Sequence, residues 1–289
     1  MVTDTLAALV RECAALLSSG NGGNERFEAE QIVLKCCGAD ARELIMYPER
    51  EVTAQQRSLS AEYVSRRLSG EPLQYILGEW EFYGLLFYVG EGVLIPRQDT
   101  ETIAELALKF IGERRTEDFL AADLCAGSGC IGITLAVLGG ASVTLVELSD
   151  KAAAYLRRNI EYHGVGDRCA VIQSDVLSEE TAERLPLFDL IVTNPPYLSG
   201  QDMKQLQREV AYEPKMALYG GEDGLDYYRR MLPLWSERLK NGGMLAAEIG
   251  MGQEKDVMQM FSECGLTAHY CKDMCGVIRV IYGMKNGGT

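Results

Sequence analysis

Apolar positions at the N-terminal end of the chain recur with the period of an α-helix. They are three or four residues apart over residues 6–17 and again over residues 27–34. Thr53-Ala54-Gln55-Gln56 is a capping-box pattern, which predicts the start of a further helix. Together these patterns predict an all-helical unit, residues 1–71, whose sequence carries no cluster of reactive side chains. We expect this unit to recognise a partner or to pack against the rest of the chain.

The following stretch is rich in aromatic residues and alternates only loosely between apolar and polar positions. Its apolar runs are Tyr75-Ile76-Leu77 and residues 80–89, and both are interrupted or followed by glycines. Aromatic side chains favour strands, and glycines favour the turns between strands. We therefore expect residues 72–95 to form a β-hairpin that links two domains.

From residue 119 onward, short apolar runs typical of buried strands alternate with helical patterns. Strands are predicted at residues 119–124, 142–146, 170–173, 187–193, 244–248, 267–270 and 277–282. A helix is predicted from residue 227 to residue 239, before Asn241-Gly242-Gly243. This alternation is typical of an α/β fold with a doubly wound, Rossmann-like parallel sheet, and we assign it to residues 96–289.

The strand predicted at residues 187–193 is followed by Asn194-Pro195-Pro196-Tyr197. Two consecutive prolines can continue neither a strand ladder nor a helix, so the chain leaves the sheet in a rigid, extended path. Open α/β sheets bind ligands at the carboxyl ends of their strands, where this corner lies. The Asn194 side-chain oxygen and the Pro195 carbonyl can together accept both protons of a planar NH2 group. The Tyr197 ring can cover that group.

Neighbouring strand ends carry the pattern of a nucleoside site. Gly127 and Gly129 follow the strand at residues 119–124 and let a ligand approach the backbone closely. Glu147 can accept hydrogen bonds from a ribose, and Asp175 can accept them from the amine of an adenine. The same loop also matches the G-x-G-x-x-G pattern of nicotinamide-binding proteins. The Asn-Pro-Pro-Tyr corner favours methyl transfer, because a dehydrogenase has no use for an amide clamp there.

Composition and charge narrow the possible partners. The formal net charge is −14 and the arginine pairs are isolated, so the basic stripe of a nucleic-acid-binding surface is missing from the sequence. No apolar run reaches the roughly 18 residues of a membrane span, and the N-terminus lacks a secretion-signal pattern. Nine cysteines without a regular spacing are typical of free thiols in a reducing compartment. We expect a cytoplasmic monomer that binds neither membranes nor nucleic acids directly.

One cluster of cysteines with a histidine, and a second histidine elsewhere in the chain, invite other interpretations. Cys264, His269, Cys271 and Cys275 are close in sequence, but their spacing matches no zinc-binding pattern, and we predict no metal site. His163 stands at a predicted helix end, where we expect a surface side chain.

The motifs, in this order, resemble those of the HemK/PrmC family, the peptide chain release factor glutamine methyltransferases. These are class I S-adenosylmethionine-dependent methyltransferases. The resemblance covers nearly the whole chain, and it is carried by residues 70–78, 95–101, 123–129, 194–197, 212–218 and 221–225. The Asn-Pro-Pro-Tyr element alone is shared with DNA adenine methyltransferases, whereas the other stretches are much more specific.

The resemblance implies that S-adenosylmethionine is the methyl donor, that S-adenosylhomocysteine is the product, and that no metal is needed. It implies that the acceptor is the side-chain amide of the Gln in the Gly-Gly-Gln loop of class I release factors. The donor-binding residues that it implies are Cys125, Ala126, Gly127, Ser128, Gly129, Glu147 at the ribose, Asp175 and Val176 beside the adenine, and Asn194.

Asn194, Pro195 and Tyr197 are the predicted catalytic residues, and with Pro196 they form the predicted acceptor site. Accepting both N–H protons orients a poorly nucleophilic amide nitrogen and stabilises the positive charge that grows on it. Cys125 departs from the family, which usually has glycine at this position.

Some alternatives stay open at this point. Arg97 and Glu101 can form an ion pair with each other or face the site. The other functions considered are a DNA adenine methyltransferase, which the net charge disfavours, and a nicotinamide-dependent oxidoreductase that uses the glycine loop.

Overall fold

The computed structural model describes residues 4–18, 24–114 and 118–286. The chain forms two compact units. One consists of Met1–Glu79 together with Arg208–Tyr212, and the other consists of Trp80–Gln207 together with Glu213–Thr289.

The first unit is helical, as the N-terminal pattern predicts. Its helices are α1 (Leu6–Leu17), α2 (Glu25–Cys37), α3 (Ala41–Met46), α4 (Ala54–Leu68) and α5 (Leu73–Leu77). The predicted capping box is confirmed, because Thr53 and Gln56 exchange side-chain and backbone hydrogen bonds at the start of α4. Apolar side chains from α1 and α2, among them Leu6 and Ile32, are fully buried.

A short segment from much later in the sequence belongs to this helical unit. Glu209 forms an ion pair with Arg67, which also pairs with Glu28 through two hydrogen bonds of 2.9 Å. Tyr212 donates its hydroxyl proton to the Ser69 carbonyl at 3.2 Å. Residues 208–212 are thus attached to the C-terminal end of α4 by charge-assisted and hydroxyl hydrogen bonds.

The predicted hairpin begins later than the sequence pattern indicates. The prediction of an extended segment at Tyr75-Ile76-Leu77 is wrong, because Leu73–Leu77 is a helical turn between Pro72 and Gly78. Pro72 suits the start of a helix and Gly78, at a φ of 76°, suits its end, so three apolar residues between them read equally well as helix. The hairpin itself consists of β1 (Glu79–Phe82) and β2 (Leu85–Tyr88).

The second unit alternates helices and strands. Its elements are α6 (Glu101–Arg114), β3 (Leu120–Leu124), α7 (Cys130–Gly139), β4 (Ser142–Glu147), α8 (Asp150–His163), β5 (Cys169–Gln173), α9 (Glu179–Glu183), β6 (Phe188–Thr193), α10 (Asp226–Ser236), β7 (Leu239–Glu248), α11 (Glu254–Glu263), β8 (Leu266–Lys272) and β9 (Ile278–Lys285). In the described residues the larger sheet has seven strands in the order β5-β4-β3-β6-β7-β9-β8. The strands from β5 to β7 are parallel, and β9 is antiparallel to both β7 and β8.

Helices cover both faces of this sheet, as a doubly wound fold requires. One buried cluster contains Ile103 of α6, Ile131 of α7 and Leu156 of α8. A second cluster on the other face contains Trp235 of α10 and Phe261 of α11. The predicted α/β class with a largely parallel sheet is confirmed. Among the described residues, no helix is long and apolar enough to cross a membrane.

The prediction that a helix continues to Leu239 is wrong. Helix α10 ends at Ser236, and Leu239 pairs with Phe188 in the sheet as the first residue of β7. The spacing of Leu239 from the preceding apolar residues fits a helical face, but Leu239 is buried because it packs on both sides inside the sheet. The register shifts between Phe188 and Leu190, opposite Asn241-Gly242-Gly243, so the glycines occupy an irregularity within the strand.

The order of the strands reverses between β3 and β6, which is the topological switch point of the sheet. Open α/β sheets bind ligands outside the carboxyl ends of the strands at such a point. At this edge of the sheet β3, β5 and β6 are followed directly by Cys125, Ser174 and Asn194, and β4 ends at Glu147.

Candidate active site

The loop between β3 and α7 is built on left-handed backbone. Cys125, Gly127 and Gly129 have φ angles of 61°, 57° and 82°. The Ala126 amide donates to the Val146 carbonyl at 3.0 Å, which ties the loop to the end of β4. A Cβ atom added to Gly127 would meet nothing within 4 Å, so the loop leaves open space on that side. Such a loop allows a ligand to lie close to the backbone.

Glu147 holds the same loop with its carboxylate. Its two oxygens accept from the Gly127 and Ser149 amides, each at 2.7 Å. The side chain is buried, and both oxygens already have a partner. Since each carboxylate oxygen has two lone pairs, Glu147 can still accept hydrogen bonds from a diol.

Asp123 lies beneath this loop as the penultimate residue of β3. One of its oxygens accepts from the Gly132 amide at 2.8 Å, and the other has no hydrogen-bond partner among the described residues. Burial raises the pKa of the Asp123 carboxyl to about 7, which the Gly132 hydrogen bond partly opposes.

A cavity opens between this loop and the neighbouring strand ends. It contains about 880 Å³ of empty space, part of which is continuous with solvent. The predicted site residues that line the cavity are Cys125, Ala126, Gly127, Ser128, Glu147, Asp175, Val176, Asn194 and Pro196. Gly129, Pro195 and Tyr197 do not line it.

Asn194 follows β6 directly and lies at one end of the cavity. Its amide nitrogen donates to the Thr100 hydroxyl oxygen at 3.2 Å. Within the described part of the chain, no group donates a hydrogen bond to the Asn194 Oδ1 atom or to the Pro195 carbonyl. The Asn194 oxygen, which belongs to a cavity-lining residue, is therefore available as an acceptor for a ligand, whereas Pro195 does not line the cavity.

Tyr197 is directed into the protein by its hydroxyl group. The hydroxyl donates to Glu248 Oε1 at 3.3 Å, and burial raises the pKa of Tyr197 well above its ordinary value. The Tyr197 carbonyl accepts from Gln253 Nε2 at 3.0 Å, and Gln253 Oε1 accepts from the Gly250 amide at 2.9 Å. The corner after β6 is thus fixed at its last residue by both side chain and backbone.

Arg97 faces the site and does not pair with Glu101. It lines the cavity and forms an ion pair with Glu213, whose other oxygen accepts from the Ile95 amide at 2.9 Å. Burial raises the pKa of the Glu213 carboxyl, and the Arg97 guanidinium opposes that shift. Glu101 instead accepts from the Tyr83 amide at 2.8 Å and thereby stabilises the hairpin turn.

Several residues of the site were missed by the sequence patterns. Thr100 lies within residues 95–101, which carry the family resemblance, but no sequence pattern indicates that its hydroxyl contacts Asn194. Glu248 and Gln253 carried no local signal except their position at and after the end of a predicted strand. That position, shared with Glu147, was the signal available in the sequence.

His163 is not the surface residue that the sequence predicts. Its ring is half-buried against Phe87, with 5.1 Å between the ring centres. Its Nε2 atom lies 2.8 Å from the Leu86 carbonyl oxygen. The residue therefore fastens the hairpin strand β2 to the end of α8.

Comparisons with known proteins agree with this geometry. Residues 8–78 match the family model described as PrmC N-terminal domain, and residues 103–222 match the one described as Methyltransferase small domain. A release factor glutamine methyltransferase of Geobacter sulfurreducens is 41% identical over 263 residues, which cover 90% of this chain and 89% of that protein. A release factor glutamine methyltransferase of Clostridium botulinum is 34% identical over 283 residues, which cover 97% of this chain and 99% of that protein.

A solved structure is similar in fold. It is the hMettl16 catalytic domain in complex with MAT2A 3′UTR hairpin 6, with a TM-score of 0.55 and 14% identity, and the match covers 79% of this chain and 81% of that one. Together with the glycine loop and the acidic strand ends, the sheet defines a class I methyltransferase. Given the relatives that match almost end to end, the chain belongs to the family of release factor glutamine methyltransferases.

Proposed function

We propose that this protein transfers a methyl group from S-adenosylmethionine to the side-chain amide nitrogen of the Gln in the Gly-Gly-Gln loop of class I release factors. Loss of its methyl group converts the donor into S-adenosylhomocysteine. The observation that carries this proposal is the free acceptor oxygen of Asn194 at the cavity that the glycine loop and the strand ends line. The relatives of this chain are release factor glutamine methyltransferases, which supports the choice of acceptor.

The groups that line the cavity support an adenosine-containing donor. Glu147 offers carboxylate oxygens where a ribose would lie, and Asp175 and Val176 offer an acceptor and an apolar contact for an adenine. The open space beside Gly127 gives room along the backbone. When bound, the donor supplies an already activated methyl group on a sulfonium.

Asn194 Oδ1 and the Pro195 carbonyl accept the two N–H protons of the Gln amide in this proposal. An amide nitrogen is a poor nucleophile because its lone pair is delocalised into the carbonyl group. Holding both protons orients the nitrogen and favours the geometry in which that lone pair is available. The same oxygens stabilise the positive charge that develops on nitrogen, and one proton then leaves to solvent.

A second, open groove gives the acceptor protein a way to approach. It shares Met216 and Tyr227 with the cavity. Three cations, Lys204, Lys215 and Arg230, also line it together with one carboxylate, Asp226, in a chain whose formal net charge is −14. We propose that the backbone flanking the target Gln lies in this groove, and that Pro196 and Tyr197 stiffen the corner beside it.

The domain organisation and the oligomeric state of the enzyme are further points of the proposal. We propose that residues 1–71 form a recognition domain, that residues 72–95 link it to a catalytic domain of residues 96–289, and that the enzyme works as a cytoplasmic monomer without a metal ion. Size-exclusion chromatography with light scattering tests the oligomeric state, and metal analysis of active enzyme tests the last point.

The activity is tested with labelled methyl donor and three acceptors. These are a release factor, the same factor with its loop Gln replaced by Ala, and duplex DNA. We expect label on the unmodified factor only. Label on DNA would favour the adenine methyltransferase function instead, and label on the Gln→Ala factor would show that another residue is the acceptor.

Replacing Asn194 by Ala tests the amide clamp. We expect Asn194→Ala to reduce kcat by about 100-fold or more, because one of the two preorganised acceptors is lost. Donor affinity, measured by titration calorimetry, should change by less than about threefold. Turnover at the wild-type rate would contradict the assignment of Asn194. Thr144→Ser, on a strand outside the cavity lining, serves as a control variant.

A further inference from the structure

Residues 92–97 form a strap along the cavity beside the glycine loop. All six residues line the cavity, and they are its longest unbroken run of lining residues. Residues 89–100 belong to no helix or strand, so no regular ladder of hydrogen bonds fixes this part of the chain. The position of the strap therefore depends on its packing and on a small number of individual hydrogen bonds.

The N-terminal end of the strap is held by packing. Val89 and Val93 are buried against Ala152 of α8. A Cβ atom added to Gly90 would collide with the Tyr155 hydroxyl group, so the main chain and the helix are in close contact there. These contacts join the hairpin side of the strap to α8.

The other end of the strap is fastened to one carboxylate. Glu213 accepts from the Ile95 amide at 2.9 Å with one oxygen and forms an ion pair with Arg97 through the other. The Glu213 side chain is only 1% exposed. In the described residues, every hydrogen bond that joins residues 94–97 to a distant part of the chain ends at Glu213. The buried side chain of Ile95 adds apolar packing to this attachment.

Glu213 fastens the strap to a segment that is itself part of the cavity wall. Pro214, Met216 and Ala217, which follow it, line the same cavity. Glu213 does not line the cavity, so it acts on a ligand only through the two segments that it joins. Without Glu213 these two segments lose the hydrogen bonds that hold them together.

The groups that face Glu213 require a carboxylate. A main-chain amide and a guanidinium can only donate hydrogen bonds, and an ionised carboxylate can only accept them. Glutamine has the same shape, but it offers one oxygen and one NH2 group. One of the two donors on the strap would then face another donor, which leaves a buried group unpaired.

We propose that Glu213 is a positioning residue that holds the strap against the bound methyl donor. It thereby sets how tightly the donor is bound and how slowly it leaves, whereas the transfer step depends on Asn194 and its neighbours. This inference rests on the proposed use of S-adenosylmethionine in this cavity. Wall segments that close over a ligand control its retention in other enzymes in this way.

Glu213→Gln tests the proposal by binding as well as by turnover. We expect the Kd of S-adenosylhomocysteine, measured by titration calorimetry, to rise by about 10-fold, because a buried donor is left unpaired. Most of that loss should appear as faster dissociation in a stopped-flow experiment. The KM for the donor should rise by a similar factor, while kcat at saturating donor falls by less than about threefold. An unchanged Kd, or a loss confined to kcat, would overturn the proposal.

Glu91→Gln is the matched control. It makes the same change one residue before the strap, where Glu91 and Lys151 form an exposed ion pair at 2.6 Å. Exposed ion pairs contribute little, so we expect the Kd of this variant to stay within about twofold of the wild type. An equal loss in Glu91→Gln and Glu213→Gln would mean that negative charge near the cavity, and not the attachment of the strap, is responsible. That result would also overturn the proposal.

Arg97→Met removes the other partner of the ion pair. The Arg97 side chain is 37% exposed, so this variant should fold even if Glu213→Gln does not. We expect a similar rise in Kd, and the double variant should bind little more weakly than the weaker single variant, because both changes break the same attachment. Wild-type affinity of Arg97→Met would overturn the proposal. Additive losses would overturn it too, because Arg97 would then contact the donor independently of Glu213.

The wild-type enzyme separates this inference from the proposed function. If the wild type does not bind S-adenosylhomocysteine, the donor site and the role of Glu213 are both wrong. If the wild type, Glu213→Gln and Arg97→Met bind it equally tightly, only the role of Glu213 is wrong. Urea denaturation of each variant shows that it is folded under the conditions of the binding assay.

Discussion

Cys125 carries its side chain on left-handed backbone, with a φ angle of 61°. That conformation costs a residue with a Cβ atom roughly 1–2 kcal/mol, and glycine avoids the cost. The chain therefore places a residue with a Cβ atom at a position where glycine would avoid the strain. Burial raises the pKa of the Cys125 thiol far above its ordinary value, so the group stays protonated beside the cavity.

Comparison of Cys125→Gly with Cys125→Ala isolates the backbone strain. Both variants lose the sulfur atom, but only alanine keeps the Cβ atom. We expect the glycine variant to unfold with a free energy about 1 kcal/mol higher than the alanine variant, as measured by urea denaturation. An alanine variant of equal or greater stability would mean that the loop has relaxed away from the left-handed conformation.

At the residue scale, the sequence predicts what a side chain can do better than which way it turns. Asn194 was identified because a diproline follows a buried strand, and two strand-end acids were identified in the same way. The contact of Thr100 with Asn194 joins residues far apart in sequence, so no local pattern contains it. The direction of Tyr197 toward Glu248 was missed for the same reason.

At the scale of elements, the loop before α10 presses against the Asn-Pro-Pro-Tyr corner. Leu198 and Tyr219 form an isolated parallel bridge, and the Gly220 amide donates to the Leu198 carbonyl at 2.9 Å. A Cβ atom on Gly220 would lie 2.6 Å from the Pro196 carbonyl oxygen and 2.8 Å from Tyr197 Cα. Since these atoms belong to backbone, the corner would have to move.

Gly220→Ala should therefore impair catalysis more than donor binding. A shift of the corner by about 1 Å is enough to lower kcat by roughly 100-fold. Donor affinity should remain within about threefold of the wild type, because Gly220 does not line the cavity. Gly166→Ala is the matched control, since its Cβ would meet nothing within 4 Å. Equal kcat values for both variants would contradict the close packing at Gly220.

The sequence predicts a strand correctly where both faces of that strand are buried. Strands β3, β4 and β6 are short, largely buried apolar runs, and their positions follow from the sequence. Helix α5 and the start of β7 were not predictable, because short apolar runs fit a helix and a strand equally well. Tertiary pairing, such as that of Leu239 with Phe188, decides between them.

At the scale of the whole molecule, two buried carboxyl groups bind protons more tightly in the folded state than in the unfolded chain. Burial raises the pKa values of Asp123 and Glu248 to about 7 each. Their unfolded values lie near about 4. Between these values the unfolded chain has released protons that the folded protein still holds. Stability is therefore highest at the acidic end of this window and decreases as the pH rises toward about 7.

We expect the free energy of unfolding to be lower at about pH 7.5 than at about pH 5, by an amount on the order of 1 kcal/mol or more. Urea denaturation at both pH values measures the difference. Asp123→Asn and Glu248→Gln should each make this difference between the two pH values smaller, because neither amide titrates. A wild-type stability that rises over this interval would contradict the raised pKa values.

One feature of the chain path limits how the protein can be divided. The polypeptide passes from one compact unit to the other after Glu79, returns after Gln207 and leaves again after Tyr212. No single cut can therefore release either unit intact. A graft of the helical unit onto another enzyme would have to bring along residues 208–212 as a separate piece, and a catalytic fragment beginning at Trp80 would carry those five residues without Arg67 and Ser69 to hold them.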